Sequence, residues 1–346
     1  MQMNKLFFYL VPLLLSLILS LNINHCGMGF FNDDSTDQRQ DTSSYWVLGE
    51  NPLINKSQLV ILKIINGKEW QQEKNFTLTR INQDMSYAPG NDSIYLVGEQ
   101  GYEIFRVKQE TVLTASTITQ DAGFKRIYLN YNLDYFYFLG NERLWSLKIS
   151  GNLLSQVALV NYNDFTLLFR NNHQLVWGGH SQGIYLCSLA TQVSCVSSSI
   201  VAGKSVNKLW IDSSKKDLFA TTQTGEILKI DTDKNILENS KLLSTSNSTQ
   251  SIDGYRDSTT LILFIAAGNN LYFVNGENLS NLQSPLLPFP GIDISNIQVL
   301  GQRLFVFGGN KIAIFYFGKP FSNFSEPDLI VSLTSLNPLK ILPNYP

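Results

Sequence analysis

Two cysteines have the spacing of a disulfide bond. Cys187 and Cys195 each lie four residues from Thr191, at the centre of a predicted β-hairpin. Residues placed symmetrically about such a turn face each other, and at a non-hydrogen-bonded position their Cα atoms are about 4.5 Å apart. That separation is within the range that a disulfide spans. The sequence therefore predicts a Cys187–Cys195 bridge, with two packed thiols as the alternative.

The N-terminal segment has the pattern of a signal peptide. Met1–Lys5 is short and positively charged, and Leu6–Leu21 is almost wholly apolar. This run is shorter than the about 20 residues that a membrane-spanning helix needs, and its length suits the apolar region of a signal peptide. We therefore predict export, with residues 1–25 as the signal peptide and an uncleaved membrane anchor as the alternative.

The third cysteine, Cys26, follows this segment directly. Its position, with Ile23, Asn24 and His25 before it, resembles the relaxed lipid-attachment boxes of spirochaete lipoproteins. The resemblance implies that Cys26 carries lipid and that residues 26–43, which are polar and without periodicity, form a flexible tether. The expected location is the cell envelope, as an outer-membrane or surface lipoprotein bound to the membrane through its lipid anchor. Simple secretion is the alternative.

The remaining reactive side chains do not combine into a catalytic or metal-binding set. His173 and His180 are seven residues apart, about 23 Å along an extended strand, so they cannot share one metal ion. Glu99, Glu142 and Asp212 lie in predicted loops, where a pair of carboxylates is the usual device for glycoside hydrolysis. Nothing in their spacing selects two of them. We therefore predict no catalytic residue, no metal ligand and no cofactor.

Composition bounds the class of protein. The chain has 26 Lys and Arg against 28 Asp and Glu, so it lacks the basic surplus of nucleic-acid-binding domains. Apolar residues make up 44% of the chain and charged residues 16%. A chain of this composition can bury a large core, which excludes disorder over most of its length.

A repeat organises the rest of the chain. Each copy has an apolar run, a tight polar turn, a second apolar run and a looser third one. The first apolar residue after the turn recurs every 40–45 residues, at Leu59, Ile104, Leu144, Ile184, Ile227, Leu271 and Ile312. Seven copies of this length, rich in β-branched and aromatic residues, predict an all-β fold: a seven-bladed β-propeller with four-stranded blades of about 42 residues.

The hydrophobic pattern supports this architecture. Tyr135–Leu139 and Leu261–Ala267 are apolar throughout, as expected for strands that are covered on both faces. The third strand of each blade is predicted at Leu59–Ile64, Glu103–Lys108, Leu144–Ile149, Ile184–Leu189, Glu226–Asp231, Leu271–Asn275 and Ile312–Phe317.

The two ends of residues 44–346 are predicted to meet in one blade. The first blade begins at its second strand, Tyr45–Leu48, so its innermost strand is missing. Leu339–Leu342, near the C-terminus, is the candidate for that strand. Closure of this kind removes exposed sheet edges. The alternative is a disordered tail.

Two weaker sequence patterns resemble known propeller repeats. Leu218–Lys234 resembles a quinoprotein-type repeat without its closing Trp, and Gly178-Gly179 and Gly308-Gly309 resemble the glycine pairs of kelch repeats. The chain as a whole, over Tyr45–Pro346, resembles bacterial propeller lipoproteins in general. It resembles no single functional family.

The turns between second and third strands are expected to emerge on one side of the propeller. The binding candidates in these turns are Glu99, Asn141, Glu142, Arg143, His180 and Gln182. We expect a monomeric, non-catalytic interaction module that binds an unidentified protein or a glycan through this face, and no nucleic acid. A saccharide-acting hydrolase or lyase with its site in the central funnel is the alternative. Convergence of acidic and basic side chains at the channel mouth would help to distinguish the two.

Overall fold

Short runs of β-branched and aromatic residues form strands throughout the chain. The computed structural model describes residues 42–344 except 100, 118–122, 131–134, 141–142, 149–152, 159–161, 171–172, 181–182, 190–192, 213, 216, 244–246, 257–259 and 318–323. For parts of the strands between residues 114 and 199 the description covers the backbone only. Within the described residues, 27 strands form seven antiparallel sheets, which we number as blades I to VII.

The strands follow one another through the blades in chain order. Blades I and II comprise β1 (Ser43–Asn51), β2 (Lys56–Ile65), β3 (Glu69–Thr77), β4 (Asn82–Ala88), β5 (Ser93–Gly98), β6 (Gly101–Arg106) and β7 (Thr111–Thr117). Blades III and IV comprise β8 (Arg126–Asn130), β9 (Tyr135–Leu139), β10 (Arg143–Lys148), β11 (Leu153–Ala158), β12 (Tyr162–Arg170), β13 (His173–His180), β14 (Gly183–Leu189) and β15 (Val193–Ser198). Short 3₁₀ turns occur at Pro89–Asn91 and Ser199–Val201.

The last three blades continue the same order. They comprise β16 (Val206–Asp212), β17 (Asp217–Thr222), β18 (Glu226–Asp231), β19 (Ile236–Leu242), β20 (Thr249–Arg256), β21 (Leu261–Ala267), β22 (Asn270–Asn275), β23 (Asn296–Leu300), β24 (Arg303–Gly308), β25 (Lys311–Tyr316) and β26 (Leu329–Ser332). The final strand, β27 (Asn337–Pro343), returns to blade I and pairs with β1.

The blades form a closed ring. The first strand of each blade contacts the first strand of the next, in the order β27, β4, β8, β12, β16, β20, β23 and back to β27. These seven inner strands therefore surround the central channel. The seven-bladed propeller predicted from the repeat is confirmed, and so are all seven predicted third strands, which are β2, β6, β10, β14, β18, β22 and β25.

Blade VI departs from the predicted four strands. Its regular part has only β20, β21 and β22, and the following segment meets β22 through two isolated bridges, Leu271 with Leu286 and Val274 with Asn281. Pro285 lies in that segment and has no N–H to donate to a ladder. The fourth position of the blade is therefore filled by an irregular segment.

The predicted closure of blade I is confirmed. β27 runs antiparallel to β1, with Trp46 opposite Leu342 and Leu48 opposite Lys340. The side chains of Leu336 and Ile341 are buried against blades I and VII. Residues almost 300 positions apart thus complete one sheet, which leaves blade I without an unpaired inner edge.

The core lies between the blades. Six apolar clusters among the described side chains each combine residues of two neighbouring blades. β21, one of the two runs predicted to be covered on both faces, is buried along its whole length. Contacts are close: a Cβ on Gly254 of β20 would lie 2.6 Å from the Trp210 ring of β16. Face-to-face packing of this kind explains why inner strands have no polar face.

The predicted signal peptide, Cys26 and the predicted tether as far as residue 41 lie outside the described residues. Thr42 and Ser43, the end of the predicted tether, are described, and Ser43 is the first residue of β1. Between residues 42 and 344, the described part of the chain has no helix long and apolar enough to cross a membrane.

Candidate functional site

One side of the ring gathers the inter-blade connections. In an antiparallel blade, the turn between the second and third strands lies on the same side as the connection to the next blade. We call this side the connector face. Each inner strand begins there, so the first residues of the inner strands line the mouth of the channel.

Seven of these residues form what we call the channel ring. Each pairs with the end of the second strand of its own blade, which places all seven at one level: Asp84, Arg126, Asp164, Lys208, Ser251, Asn296 and Asn337. In blades II, IV, V and VI the strand register shifts just before this residue. Such irregularities re-aim side chains and are common next to functional sites.

Ion pairs connect neighbouring positions of the ring. Lys340 on β27 lies 3.2 Å from the carboxylate of Asp84, and Arg126 lies 2.9 Å from that of Asp164. The two carboxylates are buried, while the two cations keep about a quarter of their side-chain surface exposed. Nη1 of Arg126 also donates to the Tyr128 hydroxyl at 3.4 Å.

The carboxylates also join adjacent blades. Asp84 accepts the backbone N–H of Ile127 in blade III at 3.0 Å, and Asp164 accepts that of Leu209 in blade V at 2.8 Å. Asp253, two residues deeper on β20 than the ring, accepts the N–H of Val299 in blade VII at 2.8 Å. Each carboxylate therefore binds the next inner strand at a fixed register.

From blade VI through VII to blade I, neutral side chains make the other bonds between adjacent inner strands. The Ser251 hydroxyl donates to Asn296 at 2.7 Å, and Nδ2 of Asn296 donates to the Leu339 carbonyl at 2.9 Å. Gln298 bonds both backbone groups of Ile341, donating to the carbonyl at 2.8 Å and accepting the N–H at 3.1 Å.

The charges of the ring act on one another across the channel. Burial lowers the pKa of Arg126, but Asp164, Tyr128, Asp84 and Asp253 together raise it above its usual value. Burial raises the pKa of Asp253 to about 6, although its two backbone N–H donors, Lys340 and Arg126 oppose the shift. Arg126 and Asp253 belong to blades III and VI, so side chains from opposite parts of the ring converge on one space.

Lys208 is the ring's exception. Among the described residues, no carboxylate oxygen lies within ion-pair distance of its ammonium group. Burial lowers the pKa of Lys208; Asp164 opposes the shift, and Arg126 and Lys125 add to it. Arg126 and Lys340, by contrast, each have a carboxylate partner.

Two glutamates of the third strands hold connections on the same face. Glu103 on β6 is fully buried and accepts hydrogen bonds from Asn82, at 3.0 Å, and from the Thr79 hydroxyl. Burial raises its pKa, against the opposing effects of Asn82 and Arg80. Glu226 on β18 binds Lys204 at 2.6 Å. Each glutamate holds the segment that enters its own blade from the preceding one.

A second charged cluster lies on the opposite face, between blades V and VI. Arg256 lies 2.6 Å from Asp212 and 2.9 Å from Glu277, and Lys229 lies 3.3 Å from Asp217 and 3.0 Å from Glu238. Every charge of this cluster has an opposite partner. The cluster joins blades V and VI on this face.

The structure describes the predicted binding residues only in part. Glu99 is exposed in the β5–β6 turn, Arg143 begins β10 and His180 ends β13, all on the connector face. Asn141, Glu142 and Gln182 lie outside the described residues.

The predicted chemical pairs are placed more clearly. His173 and His180 lie at opposite ends of β13, and over the described ranges no three His, Cys, Asp or Glu side chains could hold a metal ion. Glu99 and Asp212 lie on opposite faces, so they do not form a carboxylate pair. The β14–β15 register puts Cys187 directly opposite Cys195, but their side chains are outside the described set, so the bridge stays a prediction.

The channel ring was missed at the level of sequence. A signal was present, because Asp84, Arg126, Asp164, Lys208 and Ser251 follow one another at intervals close to the repeat. These residues differ in charge, however, and a search for repeats detects positions where similar residues recur.

Comparison with known proteins supports the fold alone. No protein-family model and no curated protein sequence matches the chain. Among solved structures, it is similar to the dihydro-heme d1 dehydrogenase NirN in complex with DHE, with a TM-score of 0.60 and 8% identity over 84% of this chain. The match spans 63% of that protein, less than two thirds of its length. Because 1596 chains of solved structures match, the likeness selects an architecture and no function.

Proposed function

We propose that this propeller is a non-catalytic binding module that takes a protein or a glycan on its connector face, over the mouth of the central channel. The observation that carries the proposal is the channel ring, where acidic and basic side chains from several blades converge. Binding residues are often carried by loops that a rigid scaffold positions, and the turns around this mouth have that placement.

The carboxylates at this mouth support binding over catalysis. Asp84, Asp164 and Asp253 each accept a backbone N–H from the next blade, and two of them also bind a cation. A glycosidase needs one carboxyl group as proton donor and a second as nucleophile or base. The main role of carboxylates that bind backbone groups in this way is to hold the blades together.

The connector face also exposes apolar surface. Leu53 and Ile54, in the turn between β1 and β2, are 78% and 47% exposed. Exposed apolar residues beside a polar site are typical of interaction surfaces. A ligand over the channel mouth would have apolar contacts at blade I and charged ones at blades II to V.

One observation favours the alternative of a saccharide-acting hydrolase or lyase. The pKa of Asp253 is raised to about 6, which is the range of a general acid near neutral pH. This second candidate function requires that Asp253 protonate a leaving group. An Asp253→Ala variant would then lose product formation from acidic and neutral polysaccharides, whereas the binding module forms no product with either protein.

We further propose that Cys26 tethers the propeller to a membrane of the cell envelope, after removal of residues 1–25. The support is the apolar segment before Cys26 and the polar linker after it. A radiolabelled fatty acid is expected to mark the wild type and not a Cys26→Ala variant. Labelling of both proteins, or of neither, contradicts the tether.

A photo-crosslinking experiment tests the binding face. A diazirine amino acid is placed in the full chain at Glu99 or Gln223, in exposed turns of the connector face, or at Lys68, in the exposed turn after β2 on the opposite face. We expect adducts with one envelope protein or glycan from positions 99 and 223 and none from position 68. Equal adducts from position 68, or none from any position, overturn the proposal.

A further inference from the structure

We propose that the ammonium group of Lys208 is the subsite for a single carboxylate of the ligand, carried by an acidic sugar or a small organic acid. This inference rests on the proposed binding function and names the chemical group that the channel mouth takes. It follows from the order of charges around the channel ring.

Acid and base alternate along half of the mouth. From blade I to blade V the sequence of charges is Lys340, Asp84, Arg126, Asp164 and Lys208, and the first four are joined in two ion pairs. The next ring position in blade VI is Ser251, whose hydroxyl donates to Asn296. The blade VI carboxylate, Asp253, lies two residues deeper on β20 and forms no ion pair with Lys208 among the described residues, so Lys208 is the end of this series of ion pairs.

Asp164 is not within ion-pair distance of Lys208 and already has other partners. One of its oxygens binds Nη1 of Arg126 at 2.9 Å, and the other accepts the N–H of Leu209 at 2.8 Å. Each oxygen therefore already has one partner, and the side chain is buried. A half-buried ammonium without a partner is costly, and an anion from solution removes that cost.

A monoanion suits the surroundings of Lys208 better than a dianion. One ammonium without an ion-pair partner among the described residues is matched by one negative charge, and the exposed Lys125 adds attraction at the rim. A phosphate dianion would bring a second negative charge next to Asp164 and Asp84, where like charges repel. The lowered pKa of Lys208 agrees with this balance, because a bound anion would restore the charged form.

Calorimetric titration of the full chain in detergent tests the assignment at low ionic strength. The probes are D-glucuronate, its neutral counterpart D-glucose, and inorganic phosphate. We expect glucuronate to bind, glucose not to bind and phosphate to bind more weakly. Lys208→Met is expected to reduce the affinity for glucuronate by about tenfold or more, and Lys208→Arg is expected to restore part of it.

Controls separate the subsite from general charge and from folding. Lys68→Met removes the same charge from an exposed turn on the opposite face and should leave glucuronate binding unchanged. Lys208→Gln is the second variant if Lys208→Met does not fold. Absence of glucuronate binding, binding that survives both substitutions, or tighter binding of phosphate overturns the inference. If the crosslinks at positions 99 and 223 persist in that case, the carboxylate is wrong and the binding face stands.

Discussion

The two halves of the channel wall hold their blades together by different chemistry. Across blades II to V, buried carboxylates accept backbone N–H groups and pair with cations. From blade VI through VII to blade I, Asp253 makes one such bond, and hydroxyl and amide side chains make the others. We call these the charged half and the amide half.

The difference matters because, among the described residues, the charged half contains a cation, Lys208, without an ion pair. An amide such as Gln298 both donates and accepts, so one side chain satisfies both backbone groups of Ile341. A carboxylate only accepts and needs cations beside it, and the cations need carboxylates in turn. In the charged half, Lys208 has no carboxylate partner among the described residues. In the amide half, the amide side chains have partners for both donor and acceptor groups.

Loss of β27 should have the largest effect, because the amide half ends on this strand. Deletion of residues 336–346 removes the backbone partners of Asn296 and Gln298 and the buried Leu336 and Ile341. Each large apolar side chain contributes about 1.5–3 kcal/mol by burial, and a typical domain has only about 5–15 kcal/mol in total. We expect the truncated chain to unfold or aggregate. Thermal denaturation of the truncated and the full chain measures the difference. A truncated chain that melts within a degree of the full chain would show that closure does not need β27.

In the charged half, the largest single effect is expected at Asp164. Asp164→Ala leaves Arg126 without its carboxylate and the N–H of Leu209 without its acceptor. Breaking a buried pair in this way lowers the free energy of unfolding by about 3–5 kcal/mol. Chemical denaturation of the variant and the wild type measures this loss. Asp164→Asn keeps an acceptor and should lose clearly less. Equal losses for both variants would mean that the charge of Asp164 contributes nothing.

Asp253 should make stability depend on pH. Its folded pKa is raised from 3.8 to about 6, so the folded state binds a proton more tightly than the unfolded state. The favourable contribution is complete below the unfolded pKa and is lost as pH rises from about 4 to about 6, by up to about 3 kcal/mol. Asp253→Asn loses one acceptor at every pH but should lack this slope. Parallel melting profiles of the two proteins between pH 4 and 7 would contradict the raised pKa.

In the amide half, the corresponding substitution should cost less. Gln298→Ala leaves the N–H and carbonyl groups of Ile341 without partners, at about 1–3 kcal/mol. Gln83 is an exposed glutamine at the start of β4, and Gln83→Ala is the matched control with little expected effect. A loss at Gln298 as large as that of Asp164→Ala would remove the distinction between the halves.

The fold was predictable because its signals are local and repeated. The reference residues, such as Ile104 and Ile312, stand out as the first apolar residue after each turn, and their spacing alone indicates the number of blades. The apolar Leu339–Leu342 segment indicated the closing strand for the same reason. Blade VI was the exception, because an outer strand is only half covered and its apolar pattern is weak.

The candidate site was not predictable in the same way. Whether Lys208 has an ion-pair partner depends on side chains about 44 residues before and after it in the chain, brought together only by the ring. Sequence reasoning favoured turn residues such as Glu99 because turns are exposed. It did not reveal that charged side chains of the inner strands converge on the channel. The candidate site becomes apparent only when the residues at successive ring positions are compared.

The state of Lys208 tests the central claim most directly. Reductive ¹³C-methylation of the lysines allows each ammonium group to be titrated by NMR, and the signal of Lys208 is assigned by its loss in Lys208→Met. We predict that Lys208 titrates below the other lysines and that glucuronate moves its pKa upward. A Lys208 signal that titrates with the exposed lysines and does not respond to glucuronate would contradict an unpaired cation awaiting a carboxylate.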